Sequence, residues 1–116
     1  FGLSKNVYGG APKMHEGLDI ANQQGTPILA TADGVISFSG SKSGYGRTIV
    51  VDHGEELETW YSHSQDLLVQ VGEQVKKGQT IAKMGNTGRA SGTHLHYEVR
   101  YKGVPVDPLD YLLDSL

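Results

Sequence analysis

Apolar positions in this chain come in short runs that alternate with polar ones. The clearest run is T-H-L-H-Y-E-V-R-Y at 93–101. Leu95, Tyr97, Val99 and Tyr101 fall on one face of it, and His94, His96, Glu98 and Arg100 on the other. A period of two belongs to a strand, here predicted over 94–101. The apolar face is expected to pack on a core, and the opposite face to line a groove or meet solvent. Shorter segments rich in Val, Ile, Thr and Tyr predict further strands at 28–30, 34–39, 48–52, 56–62 and 80–84. Residues 41–46 predict a hairpin loop, and 69–78 read as tight turns around one extended piece. No 20–50-residue repeat is visible. The single helix signal is at 107–116, where Asp107 caps, Pro108 suits the first helical position, and Leu109, Leu112 and Leu113 share a face. The expected fold is all-β, a mostly antiparallel sheet with hairpin connections and a short C-terminal docking helix.

Composition narrows this picture. The 116 residues predict a single domain with a modest core. Sixteen glycines, spread along the chain, punctuate the strands rather than forming a linker. A net charge of −3 argues against a phosphate-gripping surface, so no nucleic-acid partner is expected. No apolar run approaches the ~18 residues of a membrane-spanning helix. Cysteine is absent, which removes disulfides, thiolate metal ligands and thiol nucleophiles. The chain begins at Phe1 and points to an excerpted or processed piece.

Five histidines remain to be explained. His94 and His96 share a strand face, roughly 6.5–7 Å apart at Cα, close enough for both rings to converge on one small site. His15 and Asp19, four apart in M-H-E-G-L-D-I-A, can aim at one point from a helix or from a strand, although Gly17 argues against a helix interior. His63 follows W-Y-S, and His53 precedes a turn glycine. Each segment alone reads as ordinary: a polar strand face, a surface loop, a satisfied half-buried ring, a turn residue. Their combination is less ordinary. His15, Asp19 and His96 make a two-histidine, one-carboxylate set, with His63 and His94 in reserve. Catalytic zinc sites use three protein ligands and keep one position open, whereas structural ones close with four. The same donors also suit non-haem iron.

The segments H-E-G-L-D-I-A, G-Y-G-R-T-I-V-V-D-H-G, W-Y-S-H, V-G-E-Q-V-K-K-G-Q-T-I-A-K-M-G-N-T-G and S-G-T-H-L-H-Y-E-V-R, in that order, resemble the lysostaphin/LytM-type zinc endopeptidases of bacterial cell walls. The resemblance spans nearly the whole chain. It implies one Zn²⁺ per chain, held by His15, Asp19 and His96. It implies that His63 and His94 orient water and stabilise the tetrahedral intermediate as a metal-activated water hydrolyses a peptidoglycan peptide bond. It implies a groove floored by the sheet and walled by residues 9–13, 41–47 and 85–93, with Tyr45, Asn86, Thr87 and Gly92 facing substrate. Either a D-alanyl–diaminopimelate cross-link or a glycine bridge fits. It further implies a monomer acting in the periplasm, cell envelope or outside the cell. His53 matches a turn that holds no metal. Glu98 shares the histidine face and is a candidate to hold an imidazole in its tautomer, or to be an ordinary strand-face residue. Two departures stand out. Thr93 replaces a proline often found before H-L-H, which relaxes the backbone there. Ser64-Gln65 replaces a more usual leucine beside His63.

Two rivals remain. One is a non-catalytic or latent domain of the same fold that binds peptidoglycan or activates amidases; the presence of all five site residues favours activity. The other is a biotinyl or lipoyl carrier, suggested by Val71-Gly72, Val75, Gly78, Ile81 and Lys83-Met84. It leaves every histidine unexplained.

Overall fold

A computed structural model describes residues 18–85 and 93–107. Nine strands form one antiparallel sheet and no helix occurs among the described residues. They are β1 (Leu18–Ala21), β2 (Pro27–Leu29), β3 (Gly34–Lys42), β4 (Gly46–Asp52), β5 (Leu57–Leu67), β6 (Gln74–Val75), β7 (Thr80–Met84), β8 (His94–Tyr101) and β9 (Val104–Val106). The main path runs β1-β8-β5-β4-β3-β6, β2 and β7 form a side branch, and β9 pairs with β8.

The all-β expectation holds, and the two most regular segments, 80–84 and 94–101, have the predicted bounds. The differences lie at turns and edges. The β3–β4 hairpin is tighter than a loop over 41–46, because pairing continues to Lys42↔Gly46. Strand β5 runs past Ser62 to Leu67 because it acquires a second partner. Two short strands, β1 and β9, were not signalled by alternation and form because both lie along β8. The segment 69–78 is as expected, with only Gln74–Val75 extended. The predicted helix at 107–116 lies outside the described residues beyond Asp107.

Alternation explains the core. Ile49 and Val51 of β4, Tyr61 of β5, and Leu95, Tyr97 and Val99 of β8 all turn to one face and are fully or almost fully buried. Tyr101, on the same predicted face, is exposed at the strand end. Ile28, Ile36, Val75 and Ile81 close the core from the other strands, which accounts for the carrier-like pattern around Lys83 as ordinary packing.

Polar groups inside this core form one chain. His53 Nδ1 lies 2.6 Å from the Asp33 carbonyl and its Nε2 lies 2.7 Å from Thr59 Oγ1. Thr59 Oγ1 reaches the Tyr61 hydroxyl at 2.8 Å, and Thr31 Oγ1 bridges the Tyr61 and Tyr97 hydroxyls at 3.0 Å each. A carbonyl can only accept, so His53 donates from Nδ1 to Asp33. His53 is thus more than a turn residue: it terminates a buried network that ties β4, β5 and β8 to the turn after β2.

Candidate active site

The second sheet face carries the chemistry. Residues directly opposed on neighbouring strands share a face. The register sets Asp19 opposite His96 across β1 and β8, and Ser62 opposite His96 across β5 and β8. One step along, Glu98 pairs with Trp60, Trp60 with Val50, and Val50 with Phe38.

His63 marks the point where the sheet divides. Up to Ser62, β5 pairs with β8; from Ser64 it pairs with β7. His63 itself has φ 62°, a left-handed conformation that non-glycine residues seldom adopt. Its N–H donates to the Tyr45 carbonyl at 2.8 Å, and its own carbonyl accepts from the Gly85 N–H at 3.2 Å. Gly85 bridges on to His94. The kink brings the His63 ring to 4.9 Å from His94 and 6.2 Å from His96, centroid to centroid. His63 and His94 are buried and His96 is partly open. Three of the five sequence-derived site residues therefore meet at one point, from strands 31 residues or more apart.

Glu98 settles its alternative. It is buried, its Oε2 lies 2.7 Å from His96 Nε2, and its Oε1 accepts from Arg100 Nε at 2.9 Å. Burial would raise its carboxyl, but the hydrogen bond to His96 and the charge of Arg100 outweigh it and hold the group below the ordinary carboxylate range. An ionised carboxylate only accepts, so His96 donates from Nε2, and Nδ1 is the ring nitrogen that a metal would use. Arg100 also stacks on Trp60, 3.7 Å from the ring centroid, and reaches the Tyr45 hydroxyl at 3.3 Å. Tyr45 in turn lies 6.0 Å from the His96 ring and 5.7 Å from Trp60. Arg100, Trp60 and the Tyr45 link to the site were missed by motif reading, because they come from β8, β5 and the β3–β4 turn and share no spacing.

His15, Asn86, Thr87 and Gly92 lie outside the described residues, as do two of the three expected groove walls apart from Gly85 and Thr93. Among the described residues, no three histidine or carboxylate side chains close on one metal position. The donors that are described are nonetheless of the right kind: an imidazole tautomer fixed by an acceptor, with a carboxylate-bearing residue opposite it in register.

The chain belongs to peptidase family M23, whose family model matches residues 13–108. Among curated relatives, it is 45% identical over 103 residues to the DD-carboxypeptidase/endopeptidase Mpg of Neisseria meningitidis, covering 89% of this chain and 24% of that protein. It is 43% identical over 107 residues to the murein hydrolase activator NlpD of Escherichia coli, covering 91% and 28%. Among solved structures, the lysostaphin of Staphylococcus simulans superposes with a TM-score of 0.81 at 32% identity, covering 94% of this chain and 48% of that one. A zinc-containing peptidase from Vibrio cholerae superposes at 0.77 with 40% identity, covering 80% and 29%. The chain thus spans about a quarter of the length of the curated relatives named here. No helix among the described residues is long and apolar enough to cross a membrane.

Proposed function

We propose that this domain is a zinc-dependent endopeptidase that hydrolyses peptide bonds in peptidoglycan stems or cross-links. The observation that carries the reading is the convergence of His63, His94 and His96 on one sheet face, with Asp19 opposite His96 in register. His15, Asp19 and His96 would hold one zinc per chain, His96 through Nδ1. Zinc, when bound, supplies a Lewis acid that polarises the scissile carbonyl and acidifies water. His63 and His94 donate hydrogen bonds to the developing oxyanion and pass a proton to the leaving amine. Burial strengthens both interactions by excluding competing water. Tyr45, Asn86, Thr87 and Gly92 would line the groove beside the scissile bond. The domain would act as a single monomeric unit in the periplasm, the cell envelope or the exterior, where its substrate lies.

A second reading is favoured by one observation, the 43% identity to a murein hydrolase activator. In that reading the same fold binds a partner or the wall without cutting it. All five site residues are present, which supports catalysis. The test is metal content measured together with muropeptide release, with and without a chelator. About one zinc per chain and chelator-sensitive appearance of new amine termini are expected. His15→Ala, Asp19→Ala and His96→Ala should each lose zinc and activity. Bound zinc without any release from the wild type would overturn the enzymatic reading in favour of the activator.

A further inference from the structure

The histidine-bearing sheet face extends beyond the imidazoles as an aromatic floor of half-buried Tyr45 and Trp60. Trp60 pairs with Glu98, next to His96 on the same face, and Tyr45 touches both Trp60 and His96. Two cations rest on this floor. Arg100 is neutralised by the buried Glu98. Lys42 is different. Its ammonium lies 4.3 Å from the Phe38 ring centroid and 5.0 Å from that of Trp60. No carboxylate among the described residues comes within ion-pair distance of it. A solvated lysine samples many rotamers; two ring faces hold this one over the floor. The chain is net acidic, so a cation held this way next to the groove is not part of a general basic surface.

From this we infer that Lys42 is a specificity-determining residue that binds a carboxylate of the substrate, so that the groove selects carboxylate-bearing stem peptides over uncharged glycine bridges. The inference deepens the proposed function and rests on its reading that the groove holds a wall peptide. Diaminopimelate keeps a free carboxylate beside the D-alanyl cross-link, whereas a glycine bridge offers only neutral amides. Aromatic contacts fix where the ammonium sits and leave its N–H groups to the ligand. The interaction is partly exposed, so its expected size is modest and it weakens as salt rises.

The test uses the zinc-loaded domain and three synthetic probes: a D-alanyl–diaminopimelate cross-linked peptide with free carboxylates, the same peptide amidated, and pentaglycine. Binding is titrated on a His63→Asn background to keep the peptides intact, and turnover is measured separately with His63 present. The free-carboxylate peptide should bind about three- to tenfold more tightly than the amidated one, with the gap shrinking as salt rises. Lys42→Met should erase that gap and leave the amidated peptide unaffected; Lys42→Arg should keep it. A gap that survives in Lys42→Met, or pentaglycine bound as tightly as the free-carboxylate peptide, would overturn the inference. The two readings fail separately. A Lys42-dependent gap with no turnover leaves this inference standing and removes the peptidase, whereas turnover without a gap does the reverse.

Discussion

At the scale of single residues, His63 and Glu98 matter most, and each for a backbone or tautomer reason as well as a chemical one. His63 sits at φ 62°, where a β-carbon is crowded and alanine is poorly tolerated. Asparagine enters this region several-fold more readily than most residues. His63→Asn should therefore fold with a melting temperature within a few degrees of wild type and retain zinc, yet lose most turnover. Near-normal turnover in a folded His63→Asn would remove the residue from the mechanism. Glu98→Gln tests the tautomer. A glutamine can accept from Arg100 with its oxygen, but then offers an N–H to His96 Nε2, which drives the imidazole proton to Nδ1. Zinc affinity should fall about 10- to 100-fold, the range seen when a ligand's outer partner is removed. Unchanged affinity in a competitive chelator titration would show that Nδ1 is not the ligand atom.

At the scale of elements, the site exists because β5 changes partner. Its lower half belongs to β8 and its upper half to β7, and the ladder crosses at His63 with Gly85 as the hinge point. A β-carbon on Gly85 would come within 2.7 Å of Gln65 Cβ and 2.8 Å of the Gln65 backbone nitrogen, and the backbone cannot swing aside cheaply. Gly34 is equally tight, 2.6 Å from the Asp52 carbonyl, but it sits at the start of β3, opposite Val75 of β6 and beside His53. Both Gly85→Ala and Gly34→Ala should cost about 1–3 kcal/mol of stability. Only Gly85→Ala should also lower the turnover of the folded fraction, because it moves β7 away from the bridge to His94. Urea melts paired with activity corrected for the folded fraction separate the two; equal specific activity would mean the hinge does not position the imidazoles.

At the scale of the whole molecule, the core buries two tyrosine hydroxyls, those of Tyr61 and Tyr97. Burial raises the Tyr61 hydroxyl against its hydrogen bonds to Thr31 and Thr59, and burial with the neighbouring Tyr61 raises Tyr97 as well. Both groups stay protonated when folded and would ionise near their ordinary value of about 10 when unfolded. Their contribution is complete below about pH 10 and is lost as pH rises above it, because the unfolded state then holds fewer protons. Stability should fall by up to about 1.4 kcal/mol per pH unit for each tyrosine over that window. Tyr97→Phe should flatten the decline measured by urea midpoints between pH 9 and 11; an equally steep decline would mean that other groups carry the alkaline limb.

The extent to which the sequence foretold this protein follows from the range of the interactions. Strand alternation is local, so β7 and β8 could be bounded from residues alone, and so could the division of β8 into a core face and a histidine face. His63, His94 and His96, whose rings the fold brings together, stood out in the sequence because imidazoles without cysteines have few uses, and because ordered motifs resemble a known family. The tertiary structure decided what depends on distant strands. It drew β1 and β9 onto β8, extended β5 by giving it a second partner, and made His53 the end of a buried polar chain. It also assembled Tyr45, Trp60, Lys42 and Arg100 on one floor beside His96. No spacing within a single strand encodes those contacts, because cross-strand neighbours are set by register, and register is fixed only when the whole sheet closes on its core.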